Sequence, residues 1–407
     1  MIPRLGAAYW RVWTASTISE LGTGLTNVAM PLLAVSYTRD PRLVSLVAAA
    51  AFLPVVLIGL QTGVVVDRAD RRRVLWQTDL ARTALMAVLA VLALTGHGSI
   101  WLLCLLALML GAGSILFANA ASAITPMLVG GPELPKANSW LLSAQVVAGQ
   151  FVGLPLGAAL YAVSAGLPFA VDAVSFAVSV LLVARLPGHF RADRTHAEPT
   201  TLRQDVREGL GWLWHAPVLR LLAALLALSN LAWGVAESVL VLLALDRLHV
   251  GQFGYSLLLL TFGVGALVGS AITPALQRRV GTAGLIRVSA LLTSAGLLVP
   301  GVTLSVVPIG IGFAVAGAGA MMWDITTITL RQDLVPAWLL GRAIAAHRLV
   351  GVGTIPLGAV LGGQLAHLFG LQVPYLAAAA LAGVILVVSL LRLPGARVTA
   401  ALAEPVH

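Results

Sequence analysis

Long apolar runs separated by short polar interruptions occupy nearly the whole chain. A run of roughly 18 or more apolar residues is a candidate membrane span, because about 20 residues rising 1.5 Å each cross the hydrocarbon layer. Twelve runs reach that length: 10–37, 44–66, 74–95, 100–124, 139–162, 167–185, 218–245, 254–276, 284–302, 306–330, 343–368 and 372–392. They are continuous rather than alternating and too long for the tilted strands of a barrel, so they predict helices. The first run is longer than the apolar region of a cleavable leader, and it is read as a retained helix.

Internal repetition divides these runs into two sets of six. SELGTGLTNVAMPLLAV from Ser19 lies over SNLAWGVAESVLVLLAL from Ser229 without a gap, bringing Leu21, Gly24 and Leu32 onto Leu231, Gly234 and Leu242. PLGAAL from Pro155 matches PLGAVL from Pro356, and the Arg71–Arg72 pair is echoed by Arg278–Arg279. Two six-span halves in the same orientation are the pattern of parallel-repeat transporters. The fold expected is an all-α membrane protein, twelve transmembrane helices in two pseudo-symmetric six-helix bundles. The boundaries expected are a first bundle over 1–186, a cytoplasmic linker over 187–217, a second bundle over 218–393 and a tail over 394–407. Within the linker, Leu202, Val206, Leu210 and Leu213 recur at helical spacing, with Arg203, Arg207 and Glu208 on the other side. That predicts an amphipathic helix lying in the interface.

Composition agrees with burial in lipid: 59% of residues are hydrophobic and only 10% charged. The net charge of +9 would suit a nucleic-acid binder, but its distribution argues otherwise. With the N-terminus inside, all of the 25 Lys and Arg except Arg39, Arg42 and Arg247 fall on or near the cytoplasmic side. The basic charge therefore reports orientation, with both termini cytoplasmic in a plasma membrane, and no nucleic-acid partner is expected. The single cysteine, Cys104, allows no disulfide or thiolate metal site. No phosphate-binding glycine loop, metal-ligand spacing or nucleophile–base arrangement is visible, so no cofactor, metal, catalytic residue or ATP requirement is expected.

Against the 10% average, GVVVDRADRRRVLW from Gly63 to Trp76 is densely charged. Gly63, Asp67, Arg68, Arg71 and Arg72 resemble the signature between the second and third spans of the major facilitator superfamily. TISELGTGLTNVAMPLL, VDAVSF, EGLGWLWHAPVLR and LRQDLVPAWLLGRA resemble its macrolide-efflux and enterobactin-exporter-like branch, over about residues 9–392. The resemblance implies a secondary transporter with a central cavity lined by the first and seventh spans. Physically, Asp67 at the cytoplasmic end of the second span faces the side where the eleventh span begins. Its carboxylate would latch the positive N-terminal end of that span, with the arginines pairing to lipid phosphates or to Asp324. Asp70 stands where the signature often has Gly, the fourth span contains no Arg, and GQFVGLPLGAAL matches the antiporter motif only in part. Gly149, Gly153 and Gly157, four residues apart, suit close helix packing.

Four carboxylates are read as lying deep within apolar spans: Glu20, Asp172, Glu237 and Asp324. No Lys or Arg is expected at comparable depth. An intramembrane acid usually faces a cavity or a partner. Asn27 lies two turns after Glu20 on the same face, and Asn230 and Glu237 repeat the pattern in the seventh span with acid and amide exchanged. Glu20, Asn27, Asn230 and Glu237 are therefore the candidate substrate and proton sites, and Asp172 is a structural or coupling acid. The function expected is proton-coupled efflux of amphiphilic, cationic or macrolide-like small molecules by alternating access. The partners expected are substrate, protons and membrane lipids, with the chain a monomer. The alternatives are an importer or facilitator on the same fold, or a lipid-handling or sensory membrane protein.

Overall fold

The computed structural model describes residues 5–188, 190, 217–335 and 351–392. The expected amphipathic helix of the linker, the start of the eleventh span and the C-terminal tail lie outside these residues. What is described is helical, with no strand among the described residues. The first half contains α1 (Ala7–Tyr37), α2 (Pro41–Arg68), α3 (Arg71–Thr95), α4 (Ile100–Leu128), α5 (Leu134–Ala144), a π-helical stretch (Gln145–Gly153), α6 (Leu154–Val163) and α7 (Leu167–Ala184). Then come α8 (Pro217–Glu237), a short α9 (Leu240–Leu242), a second π-helical stretch (Leu243–Arg247), α10 (Gly251–Val302), α11 (Val306–Leu334), α12 (Ile355–Phe369) and α13 (Val373–Arg392).

Ten of the described helical stretches are long and apolar enough to cross a membrane. The twelve expected runs are recovered because α10 contains two of them and α12 is the described part of the eleventh. At 1.5 Å per residue α10 would be about 78 Å long, more than two hydrocarbon thicknesses. Gly281 interrupts it with φ +69°, a left-handed conformation that only glycine adopts at little cost, and this separates the eighth span from the ninth. Local caps set other boundaries. Asp70 accepts from the backbone N–H groups of Arg72 and Arg73 to start α3, and left-handed Gly96 ends it.

Two compact units result: Met1–Thr38 with Ala50–Pro199, and Arg39–Ala49 with Thr200–His407. In the first, α1 and α3 both pack on α7, and α1 also packs on the π stretch and α6. Its core includes Val12, Leu75, Phe117, Ile124 and Leu186. In the second, α8 packs on α12 and α13, and α10 on α11 and α13, around Leu222, Ile286, Trp323 and Ile385. Both units are apolar outside as well as inside. Large side chains such as Trp101, Val163, Val307 and Leu391 are exposed, while Asp79, Asp172, Thr273 and Ser289 are fully buried. An apolar exterior of that extent suits lipid as the surrounding solvent.

Small residues set how closely the helices approach. A Cβ on Gly24 would strike the Gly149 carbonyl, and one on Gly153 would sit 2.8 Å from Gly24 Cα. A Cβ on Gly157 would lie 2.7 Å from the Leu25 carbonyl oxygen. The second unit repeats this contact. A Cβ on Gly234 would strike the Ile355 carbonyl, and one on Gly358 would lie 3.1 Å from Gly234 Cα. Thus the first span meets the fifth, and the seventh meets the eleventh, through backbone-to-backbone glycine seams.

Candidate functional site

Glu20 is half-buried on α1 beside the π-helical part of the fifth span. The Gln145 amide, at the first residue of that stretch, donates to Glu20 Oε1 at 3.1 Å. A Cβ on Gly149, four residues on, would lie 3.8 Å from Glu20 Oε2. The π stretch therefore presents an amide donor and an open glycine face to the acid. Irregular turns of this kind recur at functional sites because they re-aim side chains and free backbone groups. Asn27, two turns further along α1, is exposed.

In the second unit Glu237 is the last residue of α8, where the seventh span breaks before α9 and the second π stretch. Trp233, one turn earlier, hydrogen-bonds its carboxylate, and the Trp233 ring lies 4.6 Å from that of Phe262 on α10. Tyr255 of α10 and Tyr375 of α13 lie near enough to the same carboxylate to interact with it electrostatically. The Tyr375 hydroxyl is buried with no hydrogen-bond partner among the described residues, and Phe313 packs on its ring at 6.2 Å. Asn230 lies two turns before Glu237, with its amide against Gly351. A carboxylate beside an indole and near two phenols attracts a hydrophobic cation by charge and by the faces of the rings. A broken helix at membrane depth is tolerated where its freed backbone meets protein or lines a cavity.

The charged loop is tied into its own unit. Arg71 Nη1 donates to the Ala123 carbonyl at 3.1 Å, and Arg72 Nη1 to the Leu186 carbonyl at 2.6 Å. The Arg71 backbone N–H donates to the Phe190 carbonyl, and Phe190 N–H lies 3.5 Å from Asp70 Oδ2. Asp70, the departure from the loop signature, thus has a structural task as the cap of α3. Arg68 is exposed, and a Cβ on Gly63 would meet open space. Asp67 lies in the last turn of α2; its side chain and the start of the eleventh span lie outside the described residues. Asp324 is exposed on α11, one turn before Thr327, whose carbonyl accepts from Arg331 Nε at 3.0 Å.

The expectation that no cation lies as deep as the acids is corrected by Arg82. It stands within α3, three residues after Asp79; Arg82 is 5% exposed and Asp79 fully buried. Their side chains pair at 3.1 Å. The guanidinium stacks over Phe176 at 3.8 Å from its ring centre and lies within 3.5 Å of Ser19 and 3.2 Å of Thr23 on α1. Asp172, on the same face of α7 as Phe176, is fully buried and accepts from Thr26 at 2.6 Å. Sequence reasoning singled out Asp172 and missed Asp79 and Arg82. The available signal was an opposite-charge pair at a three-residue interval within the apolar run 74–95, a spacing that puts both groups on one helix face.

Comparison with known proteins places the chain. Residues 3–405 match the transmembrane secretion effector family. Among its relatives are the multidrug efflux pump Tap of Mycolicibacterium fortuitum, 29% identical and covering 89% of this chain and 90% of that one. Macrolide efflux protein A of Streptococcus pyogenes is 21% identical over 89% of this chain and 90% of the relative. Among solved structures, the nucleoside transporter NupG superposes with TM-score 0.73 over 95% of this chain and 99% of that one, at 13% identity. A bacterial homologue of the iron transporter ferroportin gives TM-score 0.72 over 94% and 98%, at 16% identity. These structural likenesses show a shared fold. The chain belongs to the transmembrane secretion effector family and is a multi-pass membrane transporter of the major facilitator superfamily, not an enzyme.

Proposed function

We propose that this chain exports amphiphilic small molecules, hydrophobic cations or neutral macrolide-like compounds, in exchange for protons. It works as a monomer in the inner membrane with both termini cytoplasmic, by alternating access of two bundles bounded as 1–186 and 218–393. Glu20, Asn27, Asn230 and Glu237 form its substrate and proton sites. Asp67 with Gly63, Arg68, Arg71, Arg72 and Asp324 forms its inner latch.

The observation that carries this reading is the surroundings of Glu237: an acid at a helix break, held by an indole and near two buried tyrosines, in a chain whose relatives include multidrug and macrolide pumps. Such a site rewards flat, apolar, positively charged molecules over sugars or anions. Glu20, with its amide partner at the π stretch of the fifth span, supplies a second exchangeable acid.

The test is ethidium accumulation in cells with and without the chain. Expression should lower accumulation, and a protonophore should abolish the difference. Glu237→Gln should remove export of ethidium while leaving the folded protein in the membrane; unchanged export would overturn the assignment of Glu237.

A further inference from the structure

The first unit buries two acids and one base side by side, and their hydrogen bonds do not distribute evenly. Asp79 has both oxygens engaged, Oδ1 by the Arg82 guanidinium at 3.1 Å and Oδ2 by the Ser179 hydroxyl at 2.5 Å. Asp172 has no cation within ion-pair distance among the described residues. Its Oδ2 accepts from the Thr26 hydroxyl at 2.6 Å, and Ser175 Oγ lies 3.0 Å from its Oδ1.

The two contacts of Ser175 bear on the charge of that acid. Ser175 Oγ is also 2.8 Å from the backbone carbonyl of Asp172. A serine hydroxyl has one proton to donate, and a carbonyl only accepts. When Ser175 donates to the carbonyl, its lone pair faces Oδ1, and that contact is favourable only if Oδ1 carries a proton. When it donates to an ionised Oδ1 instead, the carboxylate stands fully buried on two hydroxyls with no cation within ion-pair distance, the nearby Arg82 being paired with Asp79, and such burial is costly. Charge counting agrees: one guanidinium balances one of the two acids, and one proton neutralises the other. Helix α1 seals the site, since a Cβ on Gly22 would overlap both Asp172 Oδ1 and Ser175 Oγ.

Among the described residues, the elements packed on α7 supply no other charge to this face. From α3 come Asp79 and Arg82. From α1 come the hydroxyls of Ser19, Thr23 and Thr26, while Glu20 is engaged by Gln145. From α6 the one titratable group is Tyr161, whose partner is Ser36.

We infer that Asp172 is a proton-binding site of this chain, protonated at Oδ1 while Arg82 pairs with Asp79 and deprotonated when Arg82 is shared between the two acids. The step breaks the Oδ1–H bond, passes the proton to water admitted when α1 moves off Asp172, and takes the cluster from net zero to minus one. Arg82 senses the transport cycle because Ser19 and Thr23, which it touches, flank Glu20 on α1. A movement of α1 that follows substrate binding thus acts on the guanidinium that governs Asp172. The coupling half of this inference rests on the export reading above; the protonation of Asp172 does not.

Two measurements on the full chain in lipid vesicles separate them. Infrared spectra at neutral pH should show a protonated-carboxyl stretch that is lost in Asp172→Asn and retained in Glu20→Gln. Ser175→Ala, which leaves the acid in place, should shift the same stretch, so the assignment survives if the Asp172 variant does not fold. A stretch that is absent, or unmoved by both substitutions, overturns the site. In the second measurement, ethidium added to the wild-type chain should release protons to a pH-indicating dye, and Asp172→Asn should bind ethidium but release at most half as many. Full release from Asp172→Asn overturns the coupling role. No release from the wild type, with the infrared assignment intact, overturns the proton-coupled export reading and leaves the protonated Asp172 standing.

Discussion

Arg82 is held by more bonds than any other cation in the described residues of the first unit: the Asp79 carboxylate, two hydroxyls of α1 and the face of Phe176. Burying a charge pair is expensive, so the pair is better understood through what its removal leaves behind. Arg82→Ala strands the Asp79 carboxylate in an apolar core and should destabilise the chain by about 3–5 kcal/mol, whereas replacing both partners by apolar residues of similar size should recover much of the loss. Denaturant unfolding of the purified protein in detergent measures both, and equal losses for the single and double variants would contradict the account. The pair escaped the sequence reading because basic residues crowd the start of α3, and Arg82 looked like one more member of the cytoplasmic flank. Hydropathy averaged over a window cannot distinguish a flanking arginine from one folded back onto an acid three residues away. Asp172 stood out because its apolar run holds no competing charge.

At the scale of elements, the spans were legible and the irregularities within them were not. Continuous apolar runs fix helix positions in lipid because the backbone has no other way to satisfy its hydrogen bonds there. The two π stretches and the break after Glu237 arise from shifts in hydrogen-bond register that no residue type announces. The glycines of the fifth span were the nearest sequence signal, and their spacing does produce the seam with α1. Gly153→Leu should force α1 away from the fifth span and lower the melting temperature markedly, at a cost of about 1–3 kcal/mol or more, whereas the same change at Gly63, which faces open space, should be tolerated. Comparable melting of the two variants would contradict the seam. The connection between α1 and α2 carries a different signal. Arg42 hydrogen-bonds the Asp40 carboxylate and holds its pKa below the ordinary carboxylate value, with His367 of α12 adjacent at 3.6 Å. A lowered folded-state pKa contributes stability that is present above the unfolded value and is lost as pH falls through the folded one. Asp40→Asn should therefore cost at most about 1 kcal/mol at neutral pH, and nothing once acid has protonated the native residue, as thermal melting across pH 3–7 would read. A cost that grows on acidification would contradict this.

At the scale of the whole molecule, the chain places its polar chemistry inside two apolar bundles and exposes hydrocarbon outside. Duplication was visible in the repeated segments around Glu20 and Glu237, and each bundle repeats one glycine seam with an acid close to it. The environments of those acids have diverged. Glu20 meets an amide from a π stretch, and Glu237 meets an indole and two phenols at a helix break. Such divergence suits a division of labour, protons favoured at one acid and apolar cations at the other, which sequence symmetry alone did not reveal. On this account Glu237→Gln should weaken ethidium binding roughly tenfold or more, while Glu20→Gln should leave binding near the wild-type value and reduce, without abolishing, the protons released when ethidium binds. Fluorescence titration of both variants with ethidium, with proton release followed by a pH-indicating dye, tests that split, and identical behaviour would contradict it.

The central claim is that the inward flow of protons drives the outward movement of substrate. Its most direct measurement is ethidium transport in proteoliposomes carrying an imposed pH difference and no other energy source. The account predicts ethidium movement against its own gradient, opposite to the proton flow, stopping when a protonophore collapses the difference. Ethidium that merely equilibrates, at the same rate with and without the pH difference, would contradict it.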